Sequence, residues 1–484
     1  MSPFQHGEVF VTQDGAETDL DIGHYERFID SELNKLSSFT SGRLFEEVIA
    51  RERHGDYLGK TVQIVPHLTD LVKSKVREGF ETSGADVSII EIGGTVGDME
   101  NEYFIETARQ MGQELGRDNV LFVHVTLLPY LGASKELKTK PTQHAVRTLM
   151  SYGITPDFVV LRSDEAIPED ILAKTAYFCS LDRSSVIASP NLPSIYQVPV
   201  EFERQGVRMS VLRRLGLSDR GFDFAAWTRL SENIEASSES LVIGMIGKYN
   251  DLEDAYYSLN EGLRTAGFGL RKKVDIRFID AESLESRDAE SILRDLDGIC
   301  IPGGFGIRGT GGKILAARYA RKNKIPYLGV CLGSQIMAIE FARDVLGLPS
   351  ANSQEFDEMT SDPVVHIMDS QKDITKKGGT MRLGTYPCTI TEGSLAHRLY
   401  GETSIDERHR HRYEFNNAYR DRMEANGFRI SGTSPDGSLV EIVEIADHPF
   451  MIGAQFHPEF KSRPTRPHPL FIGFVRAMVE KNDR

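Results

Sequence analysis

Short β-branched runs recur along this chain between stretches that place apolar residues every three or four positions, and that alternation leaves few architectures open. VSIIEIGG at 87–94, LFVHVTLLP at 121–129 and PDFVVLRSD at 156–164 read as buried parallel strands, with IETARQMGQELGRDN and AVRTLMSYGI as helices between them. The pattern lapses after Leu217 into a polar, increasingly Ser-rich stretch. It resumes with LVIGMIGKYN, VDIRFID, LDGICIPGG, IPYLGVCLG and FMIGAQFHPEF as strands and ILAARYARKNK and SQIMAIEFARDVLG as helices. The expectation is two doubly wound α/β domains, 1–217 and 241–484, joined by a connecting segment at 218–240. A chain of 484 residues is too long for one ordinary core, which agrees.

The formal charge of -15 argues against general attraction to nucleic acid or an anionic membrane. A phosphate ligand must then be held by local Lys, Arg, backbone N–H groups or metal. Cys179, Cys300, Cys331 and Cys388 form no CxxC pair and no dense framework, which fits a reducing compartment. The N-terminus shows no basic stretch followed by an apolar one, and no apolar run approaches the roughly 18 residues of a spanning helix. A cytoplasmic protein is expected.

The sharpest local signal is Gly329-Val330-Cys331-Leu332-Gly333, at the junction of a strand pattern and a helix pattern. Small residues two positions either side permit the tight turn that lifts a nucleophile out of a sheet. A thiol there sits at a helix N-terminus, whose partial positive charge favours thiolate. A buried structural thiol is the competing reading, and the flanking glycines speak against it. His457-Pro458-Glu459 ends the strand FMIGAQF, and residues two apart in extended chain share a side, so Glu459 can orient the His457 ring. Gly303-Gly304-Phe305-Gly306 follows LDGICIP and offers bare backbone N–H groups to an oxyanion.

These elements, in this order, resemble the class I (triad) glutamine amidotransferases. The resemblance implies that Cys331 attacks the side-chain amide of L-glutamine, that His457 shuttles the proton and that Glu459 orients His457. It implies glutamine contacts at Gly304, Leu332, Gly333, Ser334 and Gln335, with Glu355 and Arg412. The charges agree, since Arg binds an α-carboxylate and Glu accepts from an α-ammonium. The run Arg408-His409-Arg410-His411-Arg412 also admits a solvated basic turn or a weak metal patch, the latter disfavoured because no further ligand lies at zinc spacing.

In the first half, Glu91 is expected at the C-terminal edge of a parallel strand, where open α/β sheets bind ligands. Asp21 is a second candidate carboxylate, and Mg2+ takes one or two carboxylates plus phosphate oxygens. Lys138-Thr139-Lys140-Pro141-Thr142-Gln143 precedes a helix pattern and makes an anion site in an acidic chain. SPFQHGEVFVTQDGAETDLDIGHYERF, EIGGTVGD, KTKPTQH, GGTMRLG and ERHRHRYE are together similar to the CTP synthase family along essentially the whole chain.

That likeness implies ATP-dependent amination of UTP to CTP: ATP phosphorylates the uracil 4-oxygen, and ammonia from glutamine displaces phosphate. It implies Asp21 and Glu91 on Mg2+ with ATP, and Asp98, Met99 and Glu100 on the product nucleotide. Lys138 to Gln143 and Lys174 would line the pyrimidine nucleotide site, Pro190, Asn191 and Leu192 would meet adenine, and His6 would border an ammonia channel. GTP as allosteric activator, CTP as feedback inhibitor and a homotetramer follow from the same resemblance. XMP as a different ammonia acceptor fits these segments poorly.

The family opens with a strand and a phosphate loop, whereas no G-x-x-x-x-G-K-[ST] segment occurs here, and Gly309-Thr310-Gly311-Gly312-Lys313 does not fit it. About 50 residues of the family pattern precede the position of Met1. The expectation for the chain as written is slow glutamine hydrolysis with little CTP formed. A chain retaining only glutaminase activity, or a non-catalytic partner of a complete synthase, is the alternative.

Overall fold

The computed structural model describes residues 7–248, 253–368, 371 and 379–483. His6 lies outside them. The chain divides into two compact units, one made of the described residues of 39–231 and the other of those of 1–38 and 232–484.

In the unit 39–231, three parallel strands pair in sequence order: β1 (Val123–Leu127), β2 (Phe158–Ser163) and β3 (Val186–Pro190). The central strand is apolar on both faces because both are covered. Val159 and Leu161 pack with Val146 of helix α1 (Lys140–Ser151) and with Leu172 and Ala176 of helix Glu169–Cys179. Phe158 and Val160 turn the other way, towards Phe202, Val207 and Val211. The strand expected at 87–94 does not form. A strand exists through its ladder, and residues 87–94 belong to no sheet among the described residues, leaving Ile89 89% exposed and Ile90 54%. Glu91 therefore sits in an extended loop rather than at a strand end. Within the expected connecting segment, a helix (Ala225–Ala236) forms and buries Trp227 and Leu230.

The other unit is built on nine strands, β4 (Glu239–Gly247), β5 (Lys272–Asp280), β6 (Gly298–Ile301), β7 (Tyr327–Val330), β8 (Arg382–Ile390), β9 (Ser404–His411), β10 (Phe428–Thr433), β11 (Val440–Ile445) and β12 (Met451–Ala454). Their order is β9-β8-β10-β11-β12-β7-β6-β4-β5. The half from β12 to β5 is parallel, and the half from β12 to β9 is antiparallel. Helices α2 (Thr310–Asn323) and α3 (Leu332–Asp344) share one core with the sheet, and helices Tyr257–Gly269 and Pro469–Asn482 share the other. Every residue of α3 from Leu332 to Ala342 is buried, as a helix enclosed on all sides requires.

Residues 7–38 belong to this second unit. Their hairpin, Phe10–Val11 with Glu17–Thr18, and the helix Leu20–Ile29 pack on Phe460 and Leu383. Gly15 and Gly384 have φ of +82° and +93°, and a Cβ on either would fall within 3 Å of the other segment's backbone. Among the described residues, no helix is long and apolar enough to cross a membrane.

Candidate active site

The turn from β7 into α3 is built around Cys331, whose φ of +50° and ψ of -100° lie outside ordinary L-residue territory. Its N–H donates to Ala454 O at 2.7 Å, which ties the turn to β12. A Cβ on Gly329 would lie 2.6 Å from the Gly333 carbonyl, and one on Gly333 only 2.1 Å from Ile301 O, so both must be glycine. Tyr327 Oη donates to Gly333 O at 2.8 Å and holds the first turn of α3. The thiol is buried at that helix N-terminus.

His457 and Glu459 follow β12, the neighbour of β7. The His457 Nδ1 and Glu459 Oε1 atoms are 2.6 Å apart, which leaves Nε2 as the working nitrogen. That Nε2 is buried without a hydrogen-bond acceptor of its own. The ring stacks on Phe460 at 5.0 Å between centroids, and its backbone N–H donates to Arg408 O at 2.8 Å. Burial pulls the imidazole down, but Glu459 and then Cys331 together outweigh it and raise it to about 10. Thiol, imidazole and carboxylate, expected from three residue numbers, converge in one buried place. Gly303 adjoins them, since a Cβ there would touch His457 Cε1 at 2.8 Å.

Of the expected glutamine contacts, Gly304 adjoins Leu332, and Gly306 N–H donates to Glu355 Oε1 at 2.6 Å. Burial pushes Glu355 up, against that donation. Ser334 Oγ donates to Cys331 O at 2.8 Å, and Gln335 Nε2 to Tyr413 O at 3.0 Å. Arg412 donates to Gln371 Oε1 at 2.5 Å and Thr380 Oγ1 at 2.8 Å. The solvated-turn reading of 408–412 is corrected: Arg408, His409 and His411 are buried residues of β9, facing Glu26, Arg382 and Glu441. Burial and the Arg382 charge hold both imidazoles well below the usual histidine range.

In the unit 39–231, Thr139 is the N-cap residue of α1, with Pro141 in its first turn. Gln143 Nε2 donates to Thr139 Oγ1 at 3.1 Å and Thr142 Oγ1 to Leu127 O at 3.2 Å, so the expected anion segment is a preformed helix start. Lys138 pairs with Glu136, and Lys140 and Lys174 are exposed. Asp98, Met99 and Glu100 lie in an exposed loop in which Thr95 N–H donates to Asp98 Oδ2 at 3.3 Å. Pro190 ends β3, Asn191 accepts from Arg162 at 2.8 Å, and Leu192 follows. Asp21 lies in the first turn of helix Leu20–Ile29, in the other unit, and Glu91 in 39–231. No group of three or more metal-ligating side chains occurs among the described residues, and two hard carboxylates are what Mg2+ held mainly by phosphate oxygens asks of a protein.

Sequence reasoning missed three residues here: Gln455, Tyr327 and Glu26. Gln455 stands two places before His457, just past the end of β12, a spacing that in extended chain puts both on one side.

A thiol on a strand-to-helix elbow, with a buried His-Glu pair just past the end of the adjoining strand, defines a triad glutamine amidotransferase fused to a second α/β unit. Residues 251–477 match the family model for glutamine amidotransferase class-I, and residues 1–217 that for the CTP synthase N-terminus. A CTP synthase from Caldanaerobacter subterraneus is 53% identical over 99% of this chain and 89% of its own length, and one from Bacillus subtilis is 50% identical over 99% and 90%. The glutaminase domain of a Trypanosoma brucei CTPS, solved with acivicin bound, is 39% identical over 50% of this chain and 94% of its own, with a TM-score of 0.47. The chain belongs to the CTP synthase family, the glutamine-hydrolysing ligases. With both family parts present, the synthase reading is favoured over a glutaminase remnant or a non-catalytic partner.

Proposed function

We propose that this chain aminates UTP to CTP with ammonia from L-glutamine, the glutamine chemistry residing in Cys331, His457 and Glu459. The observation that carries the reading is the strained thiol beside an imidazole held by a buried carboxylate. The thiolate attacks the amide carbon, and backbone N–H groups of the Gly303–Gly306 segment meet the oxyanion. His457 Nε2 takes the thiol proton and hands it to the leaving nitrogen, so ammonia departs and a thioester remains for water to cleave. Glu355 and Arg412 bind the α-ammonium and α-carboxylate of glutamine, with Gly304, Leu332, Gly333, Ser334 and Gln335 shaping the rest of the pocket.

The synthetase part, 1–217, joins through 218–240 to the amidotransferase part, 241–484. ATP passes its γ-phosphoryl to the uracil 4-oxygen, and ammonia then displaces phosphate, giving CTP, ADP and inorganic phosphate. Lys138, Thr139, Lys140, Pro141, Thr142, Gln143 and Lys174 hold the pyrimidine nucleotide, and Asp98, Met99 and Glu100 the product. Pro190, Asn191 and Leu192 border adenine. Asp21 and Glu91 would supply carboxylates to Mg2+, which neutralises phosphate charge when bound. GTP as activator, CTP as inhibitor, a homotetramer and a cytoplasmic location complete the proposal.

Glutamine hydrolysis and nucleotide-dependent phosphate release, measured with UTP and with XMP for the chain and for Cys331→Ser, test it. UTP-selective phosphate release, with glutamine use abolished by Cys331→Ser, is expected. Glutamine turnover surviving in Cys331→Ser, or selectivity for XMP, would overturn it.

A further inference from the structure

Gln455 is a buried carboxamide between β12 and the His457 turn, and its polar atoms face a single chain of partners. Gln335 Nε2 lies 3.0 Å from Tyr413 O, an atom that can only accept. The amide nitrogen of Gln335 is therefore the end that faces this cluster, and it also lies 3.1 Å from Gln455 Oε1. With its oxygen fixed by that donor, the remaining end of Gln455 is its NH2 group. This lies 3.6 Å from Cys331 Sγ, the one side-chain amide aimed at the sulfur among the described contacts. The backbone N–H of Gln455 donates to Glu441 O at 2.8 Å and anchors the residue to β11. The polarity of the whole relay is thus set by one backbone carbonyl on the strand segment Tyr413–Phe415.

We infer that Gln455 is a further catalytic residue, a hydrogen-bond donor that stabilises the thiolate of Cys331, with Gln335 as the residue that orients it. An N–H aimed at sulfur distinguishes the two protonation states: a thiolate accepts strongly, a thiol weakly. Of the charged side chains around the sulfur, His457 couples to it directly and Glu459 acts through His457, whereas Arg410 presents its backbone carbonyl, 3.8 Å from Sγ. Gln455 supplies a neutral donor that takes no part in proton transfer, so it serves the thiolate before attack on the amide carbon and again when water cleaves the thioester and the thiolate leaves.

The inference rests on the reading of Cys331 as the glutamine nucleophile. Gln455→Met keeps the length and removes the donor. The expected results are a glutaminase kcat lowered by about 10- to 100-fold, the worth of one hydrogen bond to an ion, with KM for glutamine within about twofold. Iodoacetamide alkylation of Cys331, followed by mass spectrometry, moves to higher pH in the same variant. Gln335→Met, which frees the Gln455 amide without touching sulfur, shifts the alkylation profile in the same direction by less. An unshifted profile in Gln455→Met, whether or not kcat falls, overturns the inference and marks Gln455 as packing. Cys331→Ser separates the two claims: retained glutaminase activity there defeats the nucleophile assignment, whereas an inactive Cys331→Ser with an unshifted Gln455→Met profile defeats the donor alone. If Gln455→Met does not fold, Gln335→Met carries the test by the same alkylation profile.

Discussion

Glu26 and Arg408 form a fully buried two-bond ion pair, Nη1 to Oε1 at 3.1 Å and Nη2 to Oε2 at 3.0 Å, between the N-terminal helix and strand β9. Arg463 adds a third bond to Glu26 Oε2 at 2.8 Å. Arg408 is also the residue whose carbonyl accepts the His457 backbone N–H. The pair thus ties the helix Leu20–Ile29 to the strand whose Arg408 carbonyl holds the His457 backbone.

Replacing Glu26 by Ala leaves the buried Arg408 and Arg463 with only their longer carboxylate contacts, to Glu32 at 3.6 Å and Asp30 at 3.4 Å, a change that costs about 3 kcal/mol. The expected result in thermal unfolding is a midpoint lowered by of the order of 10 °C, with glutaminase activity reduced as β9 loses its anchor. Glu26→Gln, which keeps hydrogen bonds but not charge, should fall between. A midpoint within about 1 °C of the parent would show that the pair contributes nothing.

The raised imidazole sets a pH window. His457 holds its proton up to about 10, whereas in the unfolded chain it releases it near an ordinary histidine value. The stabilisation it brings is complete below that ordinary value and fades as pH climbs towards 10. Glutamine hydrolysis should therefore persist through mildly alkaline pH and decline as His457 loses the proton owed to the leaving nitrogen. Cys331→Ala removes one of the groups holding the proton, so proton NMR should find the imidazole titrating at lower pH there. Titration near 6.5 in the parent chain would contradict the coupling.

The elbow predicts an inversion of the usual glycine penalty. Replacing Ala by Gly ordinarily destabilises a chain, but at φ +50° and ψ -100° a side chain carries strain of about 1–3 kcal/mol that glycine does not. Cys331→Gly should melt above Cys331→Ala, both being inactive as glutaminases. Equal or reversed midpoints would mean that the turn relaxes when the thiol is removed. Gly333→Ala, whose Cβ would lie 2.1 Å from Ile301 O, should destabilise by more than either.

Much of this was legible because it is local. GVCLG marks an elbow whatever surrounds it, and the alternation of β-branched and helical runs located the strands on both sides of the thiol. Non-local pairing was not legible. VSIIEIGG has the composition of a strand, yet a strand needs a ladder, and residues 87–94 join no sheet among the described residues. RHRHR reads as a charged turn because its partners, Glu26 and Glu441, are remote in sequence. Only a buried sheet position with those carboxylates opposite makes such a run possible. Residues 7–38 fall within the 1–217 family match, and that they pack near Leu383 and Phe460 was hidden because those partners are remote in sequence. Gln455 had the right spacing, but nothing in the sequence says that its amide nitrogen points at sulfur.

Lys313 carries the last prediction. The residue is 1% exposed with its Nζ near Gly304, and burial, reinforced by Lys248 and opposed by Glu355, lowers its ammonium to about 8. Below that pH the folded chain pays to keep the charge buried; between about 8 and the ordinary lysine value near 10.5 the unfolded chain binds more protons than the folded one, so stability rises with pH. Lys313→Met should therefore be more stable than the parent at pH 7, by about 3 kcal/mol at most, and the advantage should shrink as pH rises from 8 towards 10.5. Thermal midpoints of both proteins across that range check the sign. A variant less stable at pH 7 would mean that Glu355 and the oxyanion loop hold the amine more strongly than burial opposes it, and would place Lys313 among the groups that shape the glutamine pocket.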